Sequence, residues 1–186
     1  GYVSVLVSDD DFGRTYLRDL KNSNVITAGS SFTTGKGMTG TCLVLTTPDA
    51  ERTMNTCLSI SSNFSIKNIN LNDLKYAKYL YIEGYLVTSE IAMDAIKECI
   101  QFANMNDVKI ALTFSDLSMV KYFKNNFESI VKTKVDLLFC NEEEAKTFSG
   151  SNSVHGSIEF LKSFTSNLVI TQGNKGSLIV NEEEII

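Results

Sequence analysis

At 186 residues the chain has room for one ordinary domain, with or without a small appendage. Its 43% hydrophobic content supplies a core, and 21% charged residues exclude a disordered chain. The net charge of −5 carries no basic stripe, which argues against nucleic acid as a partner, and no apolar run is long enough to span a membrane.

Residues 2–7 alternate and β-branch like a strand. Asp9-Asp-Asp-Phe-Gly13 follows, and residues 14–22 read as a helix with Phe12, Tyr16, Leu17 and Leu20 on its apolar side. Residues 25–27 give a brief strand signal, and residues 30–40, rich in Ser, Thr and Gly, read as a loop. Two β-like segments, 41–47 and 52–60, flank a turn at the only proline, Pro48. Strand, turn, strand without a helix between is antiparallel grammar.

From residue 79 the grammar changes. Residues 79–82 predict a strand, 89–104 a helix capped by Ser89, and 108–114 a buried strand. Residues 119–131 predict one amphipathic helix. The apolar run 135–140 predicts a buried parallel strand that stops at Asn141. Asn141 is a good N-cap, and Glu142, Glu143 and Glu144 occupy the first turn of the next helix, where the helix dipole favours carboxylates. A further helix at 154–164, a strand at 168–171, a turn at 172–176 and a strand at 177–180 complete the chain. The order β-α-β-α-β-α-α-β-β implies an α/β fold with a mainly parallel sheet covered by helices on both faces. The expected division is an α/β core of residues 1–24 and 61–186, with residues 25–60 as a small antiparallel β insertion.

The four cysteines, Cys42, Cys57, Cys99 and Cys140, lack CxxC spacing, and three stand in apolar runs. Buried free thiols in a cytosolic protein fit this better than disulfides or zinc. Gly35-Lys-Gly37 fails as a phosphate loop on spacing and on the residue after the lysine. Asp9, Asp10 and Asp11 read as a helix start more readily than as a metal site. His155, the only histidine, stands at a helix start without a nucleophile or acid to complete a catalytic set.

Each remaining piece has two readings. Asn141 and Glu144 either cap a helix or order a magnesium ion through water at the carboxyl end of a strand, where open α/β sheets place ligands. The turn from Thr171 through Gly173 to Gly176 either closes a hairpin or lets backbone approach a phosphate. Arg52 is either a solvated cation beside Glu51 or a neutraliser of a transferring phosphoryl group. Ser115 and Asp116 either cap a helix or line the same crevice as Asn141.

Taken together, these pieces resemble the ribokinase/adenosine-kinase family, the PfkB-type carbohydrate kinases. Asp10, Phe12 and Gly13 match a D-x-F-G segment. Thr39-Gly-Thr41 followed by Glu51-Arg-Thr53 looks like the family's lid hairpin, and Glu83-Gly-Tyr-Leu86 like a strand end. Residues 135–148 are similar to the segment carrying the N-x-x-E motif, and residues 168–176 to the nucleotide loop. Arg52-Thr-Met-Asn55 and Leu112-Thr-Phe-Ser-Asp116 are closest to the adenosine-kinase-like branch, which tilts the acceptor towards a nucleoside.

The resemblance implies a ribokinase-like fold and ATP-dependent, Mg2+-assisted phosphoryl transfer to a hydroxymethyl group of a sugar or nucleoside. It places Asn141 and Glu144 at the metal through water, and Thr171, Gly173 and Gly176 at the nucleotide. It places Arg52 and Asn55 in the lid, with Arg52 at the reacting phosphate, and Gly84 and Tyr85 at the substrate side of the lid junction. The family's G-A-G-D segment, with its catalytic aspartate, has no match before Ile186, so the expected chain is the middle of a kinase and inactive alone. The alternative is a non-catalytic relative whose lid, an exposed strand pair, serves as a homodimer interface.

Overall fold

The structure, a computed structural model, describes residues 1–27, 31–33, 37–49, 52–181 and 184–186. The chain divides into two compact units, Gly1–Asn70 and Leu71–Ile186. Residues 1–24 and 61–70 group with 25–60. Strand pairing joins the first of these to the 25–60 stretch. β1 (Tyr2–Val3) and β2 (Leu6–Ser8) precede α1 (Asp11–Asn22), and they pair in parallel with β3 (Ile26–Thr27) and β4 (Ser31–Thr33) respectively.

The strand β4 lies in a stretch expected to be loop; of the rest of that stretch, residues 37–40 are described, while residue 30 and residues 34–36, with Gly35 and Lys36, lie outside the described residues. The single strand expected over 2–7 is two short ones.

Asp10 organises the first unit. Its Oδ1 accepts from the Gly13 amide at 2.8 Å, capping α1, and from the Thr39 hydroxyl at 2.6 Å. Its Oδ2 accepts from the Thr39 amide at 2.7 Å. Thr39 and Gly13 together hold the Asp10 carboxyl below the usual carboxylate range, the Thr39 hydroxyl contributing most. Asp9 and Asp11 are engaged by Arg14 instead. A β-carbon on Gly13 would stand 2.1 Å from the Ser8 carbonyl oxygen, so only glycine lets α1 approach β2 this closely. Phe12 and Tyr16, read as part of the helix's apolar side, are exposed, while Leu17 and Leu20 are half-buried.

β5 (Thr41–Thr46) and β6 (Arg52–Cys57) form the expected antiparallel pair, in register from Thr41 opposite Cys57 to Thr46 opposite Arg52. Every residue of both strands is exposed, including Leu43, Val44, Leu45 and Met54. Cys42 and Cys57 are therefore exposed thiols, not buried ones, because a two-stranded ribbon has no second layer over it; Cys99 and Cys140 are buried.

The second unit begins with α2 (Leu71–Leu74), β7 (Tyr79–Ile82), α3 (Glu90–Met105) and β8 (Lys109–Thr113). Then come α4 (Leu117–Tyr122), α5 (Lys124–Val131), β9 (Val135–Asn141), α6 (Glu142–Ser149) and α7 (Val154–Leu161), followed by β10 (Thr165–Thr171) and β11 (Ser177–Val180). The five strands lie in the order β11-β10-β9-β8-β7, all parallel except β11, which pairs antiparallel with β10.

Helix α3 starts where Ser89 accepts from the Ala92 amide and buries Ala92, Met93, Ala95, Ile96, Cys99, Ile100 and Ala103 at helical spacing. The helix expected over 119–131 is two, broken at Phe123. Asn126 donates its side-chain amide to the Val87 carbonyl at 2.8 Å, a tertiary tie at the start of α5. The core centres on Phe114, Phe127 and Phe148, all fully buried; Phe114 meets Phe127 edge-on with ring centres 4.9 Å apart. Among the described residues no helix is long and apolar enough to cross a membrane.

Candidate functional site

The parallel strands β7, β8, β9 and β10 all end on one edge of the sheet, and the chemistry-bearing residues of the second unit follow those ends. On β9 the apolar run stops at Asn141, whose extended backbone (φ −92°, ψ 173°) turns the chain into α6. Asn141 Oδ1 accepts from the Glu144 amide at 2.8 Å. In return Glu144 Oε2 accepts from the Asn141 amide at 2.9 Å, and Oε1 from Asn141 Nδ2 at 2.8 Å. This is a reciprocal capping box closed by a third bond.

Glu144 is only 4% exposed. Burial pushes its carboxyl above the usual carboxylate range; the Asn141 amide opposes this, and the charge of Asp116 adds to it. The Asn141–Glu144 pair is thus a closed hydrogen-bonded unit whose carboxyl is buried and satisfied and feels the charge of a second acid. Asp116 itself caps α4, accepting from the Ser118 amide at 2.7 Å.

Thr171, the last residue of β10, is the register partner of Asn141. The turn that follows is both a hairpin between antiparallel β10 and β11 and an open backbone loop. The Gln172 amide donates to the Gly176 carbonyl at 2.8 Å. Gly173 (φ +59°) and Gly176 (φ +95°) adopt left-handed conformations, with nothing within 4 Å of where a β-carbon would be.

At the end of β7, the Gly84 amide donates to Ser115 Oγ at 2.8 Å, and that hydroxyl donates to Glu83 Oε2 at 3.1 Å. Ser115 holds a left-handed backbone (φ +67°), unusual for a residue other than glycine. Tyr85 donates its hydroxyl to the Ser115 carbonyl at 3.5 Å. Gly84 and Tyr85 are thereby tied to the end of β8.

Arg52 and Asn55 lie in the other unit, exposed on β6 opposite Thr46 and Leu43. Glu51, the expected neighbour of Arg52, lies outside the described residues. His155 is exposed at the start of α7.

The sequence thus placed Asn141, Glu144, Thr171, Gly173, Gly176, Gly84 and Tyr85 in one unit, and the strand register adds that Thr171 stands beside Asn141. Asp116, read from the sequence as either a helix cap or a lining of the Asn141 crevice, caps α4, and its charge also acts on Glu144. One relationship was not legible, a hydrogen bond between Glu142 and Gln172.

Among the described residues there is no group of three or more His, Cys, Asp or Glu side chains that would cage a metal. Both oxygens of Glu144 already accept hydrogen bonds. Such a donor set fits a cation that keeps most of its water, as Mg2+ does.

The whole of this architecture is shared with known proteins. The sequence matches the pfkB family of carbohydrate kinases over residues 2–186, and the chain belongs to that family. An adenosine kinase from Sinorhizobium meliloti superposes with a TM-score of 0.94 at 26% identity, over 100% of this chain and 57% of that one. A candidate ribokinase II from E. coli in complex with ATP and Mg2+ superposes at 0.88 with 19% identity, over 100% of this chain and 60% of that one. Anopheles gambiae adenosine kinase in complex with P1,P4-di(adenosine-5) tetraphosphate superposes at 0.85 with 20% identity, over 97% and 58%. The chain thus spans somewhat more than half the length of these relatives. The fold is ribokinase-like. No curated protein sequence matches the chain.

Proposed function

We propose that the protein carrying this chain transfers a phosphoryl group from ATP to a hydroxymethyl group of a sugar or nucleoside. The observation that carries the reading is the register pairing of Asn141 with Thr171, which sets an Asn–Glu box with a buried glutamate beside an open glycine turn at the carboxyl edge of a parallel sheet. ATP with Mg2+ supplies the transferable group and the charge that neutralises it. Asn141 and Glu144 orient the waters of the ion. Thr171, Gly173 and Gly176 accommodate the nucleotide by hydroxyl and close backbone approach. The β5–β6 ribbon, within residues 25–60, is the lid, and its Arg52 and Asn55 serve the acceptor side, Arg52 stabilising charge on the transferring phosphoryl group. Gly84 and Tyr85 belong to the substrate side. A cytoplasmic location goes with the reading.

The resemblance of residues 112–116 to the adenosine-kinase-like branch, and the 26% identity to the S. meliloti enzyme, favour a nucleoside acceptor. The product of the full open reading frame, given ATP, Mg2+ and a panel of nucleosides and sugars, is expected to release ADP only with an acceptor present, fastest with a nucleoside. A product without phosphoryl transfer to any acceptor overturns the kinase reading.

A second reading rests on the ribbon itself. Both of its faces are exposed and carry Leu43, Val44, Leu45 and Met54, and isolated two-stranded ribbons are marginal in water. In this reading the lid pairs with a second copy, whether or not the protein is catalytic. Sedimentation equilibrium is expected to show a dimer that V44D, opposite Met54, converts to monomer; a wild-type monomer at micromolar concentration refutes it.

A further inference from the structure

Glu142, the first residue of α6, had no role beyond its place in a helix turn. Its carboxylate reaches two other groups. One oxygen accepts from Lys146 Nζ, one turn along the same helix, and Oε2 accepts from Gln172 Nε2 at 3.2 Å. Both side chains of the ion pair are about two-thirds withdrawn from solvent. An i,i+4 Glu–Lys pair on one helix is ordinary and worth little. The third partner is not ordinary, because Gln172 belongs to the turn between β10 and β11. Among the described residues, this is the one side-chain hydrogen bond that ties residues 172–176 to the rest of the unit. The turn's remaining bonds are backbone bonds within itself, and its two left-handed glycines touch nothing at their open sides. Lys146, Gln172 and the nearby Lys175 also favour the ionised carboxylate, Lys146 most.

We propose that Glu142 is a positioning residue for the nucleotide: held by Lys146, it fixes Gln172 and with it the Thr171–Gly176 turn beside Asn141. The inference rests on the kinase reading above and deepens it. A turn fixed before ATP arrives has less freedom to lose on binding, so Glu142 acts on nucleotide affinity and not on the transfer step.

The test is a double-mutant cycle of E142A and Q172A in the full-length product. Each single variant is expected to raise KM for ATP about fivefold, with kcat within about twofold of wild type. The double variant is expected to be no worse than the larger single, since both remove one interaction. In nucleotide-free protein, amide hydrogen exchange of residues 172–176 is expected to quicken in both singles. Additive effects on KM, unchanged KM, or a loss confined to kcat each overturn the proposal. If wild type transfers no phosphate, the kinase reading fails; unchanged exchange in E142A then sinks the tether as well, while faster exchange upholds it as a structural link alone.

Discussion

Gly84→Ala is expected to destabilise the second unit by about 3 kcal/mol, the upper part of the range for overpacking. The reason is geometric. A β-carbon at residue 84 would lie 2.5 Å from the Thr113 carbonyl oxygen, 2.6 Å from that of Phe114 and 2.8 Å from the Phe114 carbonyl carbon. All three are backbone atoms, so no side-chain rotation relieves the clash. Relief means moving the end of β8 away from β7, to which it is paired at Ile82–Leu112. That movement breaks the Gly84–Ser115–Glu83 chain of hydrogen bonds and disturbs Phe114, which is fully buried against Phe127 and Phe148. Urea unfolding followed by circular dichroism reads the effect as a lower midpoint, and thermal melting as a loss of about 10 °C. An unchanged midpoint in G84A refutes the contact argument. Gly173→Ala is the useful contrast: nothing crowds its open side, so the cost is that of the left-handed backbone alone, about 1 kcal/mol.

Periodicity and capping are local, and they were legible. Ala95, Ile96, Cys99, Ile100 and Ala103 of α3 recur at helical spacing and are buried, though Ile91 of the same reading is exposed; Ser89 caps the helix, and the Asn141–Glu144 box is written three residues apart. Facing and register are not local. Phe12, Tyr16, Leu17 and Leu20 read as one apolar side, but α1 approaches β2 through Gly13, and Phe12 and Tyr16 are exposed while Leu17 and Leu20 are half-buried. The break at Phe123 interrupts a run whose periodicity continues on either side; the tie from Asn126 to Val87 spans 39 residues and leaves no mark in the local pattern. β4 carries no strand signal of its own and is recruited by pairing with β2. In the candidate site the residue types were legible one by one. That Thr171 stands beside Asn141 and that Glu142 holds Gln172 depend on the order of strands in the sheet, which also decides that Asp116, one of the crevice candidates, acts on Glu144.

Glu144 separates stability from activity, and its two substitutions are expected to behave differently. In E144A the Asn141 amide and Nδ2 both lose their acceptor at the start of α6, at a cost of about 1–3 kcal/mol. In E144Q one of those bonds survives, and a buried charge that the site disfavours is gone. The direction of the pKa shift fixes the sign of the pH dependence. Because the folded state raises the Glu144 carboxyl above its usual value, the stability it contributes is full while the carboxyl is protonated in both states. That contribution declines as pH rises past the usual carboxylate value and through the folded one. Wild type should therefore lose stability relative to E144Q from pH 4 to pH 7, and near neutrality the two should unfold at similar urea concentrations. A gap that widens in favour of wild type over that range would mean that the Asn141 bonds outweigh burial.

Activity should not follow this pattern. If Glu144 orders the waters of Mg2+ through the site's fixed negative charge, E144Q in the full-length product is expected to lose about 10–100-fold in rate at limiting Mg2+. Raising Mg2+ should recover part of that loss, because the missing charge acts on the occupancy of the ion. Full activity in a folded E144Q at limiting Mg2+ would reduce Glu144 to a helix cap; a loss that Mg2+ restores would make the cap and the site one and the same pair of residues.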